Sequence, residues 1–296
     1  MQQDDHANGA QPLRLMIFDS PRTTCQVFYK LWQSHPQLGW GRFYHAFNGY
    51  QLYGPNRMAL QLHHSEVVEK ALEKYWVKPY QEDEAANEAY PPVLDQAQKK
   101  FTDALESTER DGKIFFGKEH ILCLLKQDII LATIRCQPLP THDNPTYIPD
   151  DLVGTLQPIF IIRHPQLMID SLWRAQQDLT QMVPEDEDFE FQITLKWTKI
   201  LYDHYKDNLG VEPVVLDSED FIYNTKAVTD KMSDMFGLDP EGVKDTWDPV
   251  PREYWPKAEV ARTYVGHMLG SKGMERGNGV SIENRGYGPR SAADLL

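Results

Sequence analysis

Leu13-Arg-Leu-Met-Ile-Phe-Asp-Ser-Pro-Arg-Thr-Thr-Cys-Gln-Val-Phe28 decides how the rest of the chain is read. Leu13 to Phe18 is mostly apolar with no polar alternation, the pattern of a parallel strand covered on both faces. Ser20-Pro21 is a helix-entry signal, because proline in the first turn gives up an amide hydrogen that has no partner there anyway. The stretch therefore predicts a buried strand, a tight polar loop, and a helix running to about His35. The first amides of such a helix have no carbonyl partners and point outward with the positive end of the dipole, where an anion can sit. Arg22 adds a guanidinium suited to phosphate or sulfate. An ordinary α/β strand-turn-helix has the same pattern, so the other strands have to carry the decision.

Three more apolar runs qualify as strands. Asp111-Gly112 marks a turn, and Lys113 to Gly117 reads as a buried strand followed by Lys118-Glu-His120 and a helix from Ile121 to Gln127. Pro158 to Ile162 is a third strand; it ends in Arg163-His-Pro165 and enters a helix that carries Ser171-Leu-Trp-Arg174. Val211 to Leu216 is a fourth, with a helix stopping near Gly237 beyond it. Helical spacing also recurs over Leu62 to Val77, Val93 to Arg110, Phe189 to Asn208 and Lys257 to Leu269. Gln137 to Asp151 reads as a long surface loop or lid, and Gly270 to Gly279 as a flexible loop able to wrap a phosphate. Trp40 to Tyr50 is rich in aromatics and too irregular for a regular element. Its Phe43, Tyr44, His45 and Phe47 could line an apolar substrate pocket, or the rings could only pin a loop to the core.

Composition narrows the partners. The chain has 296 residues, with 44 acidic against 30 basic ones and a net charge of −14, which argues against broad nucleic-acid or anionic-membrane binding. No run approaches the roughly 18 apolar residues of a membrane span. The 3 cysteines, Cys25, Cys123 and Cys136, are too few and too irregular for a disulfide framework or a metal knuckle, which fits a reducing, cytoplasmic setting and a site without metal. Residues 1–11 read as a frayed polar tail and 12–296 as a single α/β domain. The expected partner is a small molecule, with a homodimer left open. No repeat at the period of solenoid proteins is present.

Parallel strands end along one edge of a sheet, so Arg22, Lys118, His120 and Arg163 converge there in a crevice that is basic on an acidic protein. A multiply anionic small molecule is the expected ligand. The ordered set of Ser20-Pro-Arg-Thr-Thr24, Lys118-Glu-His120, Arg163-His-Pro165 with Ser171, and Ser271-Lys-Gly273 resembles the sulfotransferase family, over roughly residues 13 to 279. The Pro-Arg-Thr form looks most like divergent fungal sulfotransferase-like proteins. The resemblance implies a three-layer α/β sandwich with a central parallel sheet, P-loop NTPase-like, and transfer of a sulfuryl group from 3′-phosphoadenosine 5′-phosphosulfate (PAPS) to a hydroxyl of an apolar small molecule, such as a fungal secondary metabolite. It also implies that Arg22, Thr23, Thr24, Cys25 and Gln26 hold the 5′-phosphosulfate, and that Arg163, Ser171, Lys272 and Gly273 hold the 3′-phosphate. His120 would be the general base, and Lys118 would polarise sulfate oxygens.

The chain departs from that family at two places. Thr24 stands where the first loop usually has glycine, and Cys25 where it has a hydroxyl residue; Ser271 replaces an arginine before Lys272-Gly273. Cys25 at a helix start could be an activated thiol. Two alternatives follow: an enzyme that has given up the donor and uses His120 for acid-base dehydration or cyclisation, or a catalytically silent binding protein. A Gly-x-x-x-x-Gly-Lys-Ser/Thr loop and a Gly-x-Gly-x-x-Gly turn are both absent after the first strand, which sets aside nucleotide kinases and Rossmann dehydrogenases.

Overall fold

Arg14–Asp19 forms β1, the middle strand of a five-stranded sheet. The structure is a computed structural model and describes residues 12–39, 45–62, 69–70, 73–78, 82, 84, 88, 90–176, 183–256 and 259–274. β1 passes through the polar loop into α1 (Cys25–Trp32) and then β2 (Leu38–Gly39). The helix α2 (Leu94–Arg110) precedes β3 (Ile114–His120), the short α3 (Ile121–Leu124) and α4 (Gln127–Ile134). After α5 (Asp150–Val153) come β4 (Gln157–Ile162), α6 (Pro165–Gln176), α7 (Glu187–Ile193) and α8 (Lys196–Asp203). The last described elements are β5 (Val214–Asp217), α9 (Ser218–Tyr223), α10 (Thr225–Phe236) and α11 (Glu259–Gly270).

The strand order is β2-β3-β1-β4-β5, with every pairing parallel. All four apolar runs are strands; β2 is too short to leave one. Alternation along β1 builds three layers. Leu15 and Ile17 pack with Phe28, Leu31 and Trp32 of α1 and with Val228 and Met232 of α10. Met16 and Phe18 pack on the other side with Phe101 of α2 and Trp197 and Leu201 of α8. Each such fully buried side chain contributes about 1.5–3 kcal/mol, so β1 anchors both faces and fixes where its own end must lie.

Three expectations are corrected. The run from Phe189 to Asn208 is two helices and a π turn, His204–Asn208, rather than one helix. Thr194 is extended, its hydroxyl accepts the Lys196 N–H at 3.1 Å, and the Trp197 indole caps the Phe191 carbonyl at 2.9 Å; side-chain hydrogen bonds of this kind compete with helix continuation. The helix after β3 stops at Leu124, because Leu125 bridges Thr146. That bridge docks the segment read as a loop or lid, and Asn144, Thr146 and Ile148 within it are buried. The expected helix over Leu62 to Val77 lies partly outside the described residues, with a π turn at Glu73–Val77. Residues 1–11 lie outside them altogether. Among the described residues, no helix is long and apolar enough to cross a membrane.

Candidate active site

The parallel register brings four strand ends to one edge, with Asp19 opposite His120 and Ile162 opposite Asp217. Sequence reading ends the second long strand at Gly117, but β3 continues, since Lys118, Glu119 and His120 pair in register with Ile17, Phe18 and Asp19. Alternation then puts Lys118 and His120 on the face of Asp19 and α1, and Glu119 on the opposite face, toward Phe47.

These side chains form a buried polar cluster. Lys118 and Asp19 are each 0% exposed, with Nζ 2.9 Å from Oδ2 as an ion pair. Lys118 Nζ also lies 3.0 Å from His45 Nε2, and His45 Nδ1 lies 2.6 Å from Glu119 Oε1. The backbone N–H groups of Phe47 and His120 donate to Glu119 at 3.0 and 2.9 Å. His120 meets Asp19 Oδ1 through Nδ1 and lies against His45, with ring centroids 4.3 Å apart and the planes tilted by 37°. Of these side chains His120 is the one at the mouth, 18% exposed. Burial raises Asp19, but Lys118 and His120 outweigh it and hold the carboxyl below its ordinary range. Burial, Lys118 and His120 hold His45 well below the ordinary histidine value, so its ring is neutral. Burial and Lys118 lower His120 too, against the pull of Asp19. Burial pushes Glu119 up to about 8 against its N–H donors and Lys118.

On the other side of β1 the first loop is tied down from three directions. Arg22 Nε donates to Ser171 Oγ at 2.9 Å, and its guanidinium lies over the Tyr264 ring, 5.4 Å from the centroid. Arg163 donates to the Arg22 carbonyl at 3.2 Å and to Glu219 Oε1 at 3.1 Å. Ser218 Oγ donates to the carbonyls of Thr23 and Ile162. Arg163 and Ser171, a strand end and a helix residue about two turns on, thus both meet Arg22. Thr23 is buried, its hydroxyl on the Ser20 carbonyl at 2.9 Å, and Gln26 is partly exposed in the first turn of α1.

Thr24 caps α1 with φ 64° and Arg22 has φ 69°. The residue that replaces the usual glycine keeps a glycine-like backbone, a conformation that costs a β-branched side chain about 1–3 kcal/mol. Thr24→Gly should therefore stabilise the protein by about 1 kcal/mol, net of the entropy glycine loses on folding, and raise Tm by about 2 °C in calorimetry. A fall in Tm would mean that the loop does not hold this strain.

Other expected site residues are placed differently. Lys118 cannot polarise a sulfate from this position, because its ammonium is buried against Asp19 and His45. His45 is 4% and Phe47 0% exposed; one ring is held by Lys118 and Glu119 and the other lies in the core, so the aromatic segment is pinned here by its side chains and does not present these two to a substrate. Phe43 and Tyr44 lie outside the described residues. Cys25 is not an activated thiol: burial and Asp19 push it up to about 12. Asp19, Cys25 and His120 bring their ligand atoms within 4.8 Å of one another, but Lys118 already stands as the cation beside Asp19 and the thiol holds its proton. Lys272 is exposed, and its carbonyl accepts the Trp247 N–H at 3.1 Å. Gly273 bridges Thr246, so the start of the late loop is docked; residues 275–279 lie outside the described residues. Sequence reading missed Asp19 and Glu119. The available signal was a lone carboxylate at the end of each buried strand, which burial would penalise unless it had a partner.

The carboxyl edge of the parallel sheet, where open α/β sheets hold their ligands, thus gathers two arginines, a serine and a histidine. Comparison with known proteins gives the class more closely. The chain is 27% identical over 284 residues to sulfotransferase ppzF of Metarhizium majus (strain ARSEF 297), covering 86% of this chain and 79% of that protein. It is 27% identical over 177 residues to sulfotransferase ppzF of Metarhizium rileyi (strain RCEF 4871), covering about half of each (50% and 52%). A solved sulfotransferase domain from the curacin biosynthetic pathway overlays with a TM-score of 0.43 at 13% identity, over 88% of this chain and 83% of that one. No family model matches the chain. The chain is thus similar over most of its length to a fungal sulfotransferase, which supports a divergent, transferase-like enzyme.

Proposed function

We propose that this enzyme transfers a sulfuryl group from PAPS to a hydroxyl of an apolar small molecule of secondary metabolism, with His120 as general base. The observation that carries the reading is the meeting of Arg22, Ser171 and Arg163 on one side of the end of β1, with His120 on the other. PAPS, when bound, supplies the sulfuryl group and departs as adenosine 3′,5′-bisphosphate. Arg22 and the amides opening α1 would hold its 5′ end, and Arg163 and Ser171 its 3′-phosphate, with Lys272 and Gly273 assisting from the late loop. His120 would take the hydroxyl proton, and burial with Lys118, by lowering its pKa, keeps the ring in the uncharged, proton-accepting form. Preset positive charge and alignment would do most of the rest. The acceptor class follows from the resemblance and from the sequence expectation for Phe43 and Tyr44.

One observation favours a second reading, acid-base catalysis without the donor. Arg22 and Arg163 already have partners within the chain, and a bisphosphate has to compete with Glu219 for Arg163. Calorimetric titration with adenosine 3′,5′-bisphosphate separates the two. The expected result is micromolar binding, about −8 kcal/mol, weakened at least about tenfold, by about 1.4 kcal/mol or more, in Arg163→Ala and also reduced in Ser171→Ala. Absence of binding by the parent protein would reject donor use in favour of the second reading.

A further inference from the structure

His120 is faced by Asp19 at Nδ1, by the His45 ring, by Lys118, Arg22 and Cys25, and by Glu119 through its own backbone N–H. Of these, Asp19 touches a ring nitrogen, and Lys118 sits against the other oxygen of the same carboxylate. An ionised carboxylate can only accept, so the nitrogen that meets it must carry the proton. His45 obeys the same logic one step back. Lysine has donors only, so His45 Nε2 accepts, and its Nδ1–H is left to run to Glu119.

We propose that Asp19 is the positioning residue for His120: it holds the proton on Nδ1, leaving the lone pair of Nε2 as the atom that takes a proton, while Lys118 keeps Asp19 in its accepting form. The base role rests on the function proposed above; the tautomer does not. Asp19 occupies a strand end otherwise made of apolar residues, 0% exposed, so burial without such a task would be costly. His45, held by Lys118 and Glu119, lies against the His120 ring with centroids 4.3 Å apart.

The test reads the tautomer directly. In protein labelled with ¹⁵N-histidine, with the His120 signals assigned by their loss in His120→Asn, neutral His120 should show a protonated Nδ1 and an unprotonated Nε2. In Asp19→Asn the amide oxygen stays with the Lys118 ammonium and the NH₂ group turns to Nδ1, which must then accept, so the proton should move to Nε2. Turnover should fall by about 10⁴-fold, the scale seen when a catalytic histidine of a serine protease is held in the wrong tautomer, with the affinity for adenosine 3′,5′-bisphosphate changed less than about twofold. A proton on Nε2 in the parent protein, or the same tautomer in Asp19→Asn, overturns the proposal. If Asp19→Asn does not fold, the parent spectrum alone decides. If the parent shows no sulfuryl transfer, the spectra still decide the tautomer, and only the proposed function falls.

Discussion

In His120→Ala the transfer rate should drop by about 10²- to 10⁴-fold, the range a positioned general base contributes, with binding of adenosine 3′,5′-bisphosphate unchanged. The separation follows from the layout. His120 ends β3 on one side of β1, whereas Arg22, Ser171 and Arg163 meet on the other, so truncating the ring removes none of the hydrogen bonds that tie those three together. It also leaves Asp19 paired with Lys118, so the buried charges stay balanced and the fold should survive. Steady-state rates beside a bisphosphate titration on the same preparation check both halves. A rate within about threefold of the parent would remove His120 from the chemistry. Loss of bisphosphate binding would instead mean that the two sides of the edge are one site.

Much of this edge is legible in the residues themselves. Apolar runs without alternation reveal buried strands, and parallel strands must end together, so Arg22, His120 and Arg163 could be placed on one edge before any coordinates. What each side chain does once there depends on neighbours that no local pattern encodes. Lys118 reads as a free cation until Asp19 is set against it, and Asp19 lies 99 positions earlier in the chain. His45 reads as part of an aromatic surface until its contacts with Lys118 and Glu119 turn it inward. The break at Thr194 was hidden for another reason: the apolar spacing continues through it, and one hydroxyl and one indole end the helix.

Lys118→Met should be the most destabilising of these substitutions, by about 3–5 kcal/mol, because it removes one partner of a fully buried ion pair and leaves the other uncompensated. Methionine fills similar space, so the loss reports charge more than volume. The deficit should also depend on pH. In the parent protein, burial and then Lys118 hold His120 below its ordinary value while Asp19 pulls upward; without Lys118 one downward push is gone and Asp19 keeps its pull. His120 in the variant should therefore hold a proton to higher pH than in the parent. A histidine lowered in the folded state costs stability as pH falls below its unfolded value, about 6.5, and that cost is smaller in the variant than in the parent. Denaturant unfolding should thus find the variant closest to the parent in mild acid and furthest from it in alkali. Adding Asp19→Asn removes the orphaned carboxylate and should recover part of the loss, a coupling that a double-mutant cycle measures. A Lys118→Met deficit under about 1 kcal/mol at every pH would mean that Lys118 does not neutralise Asp19.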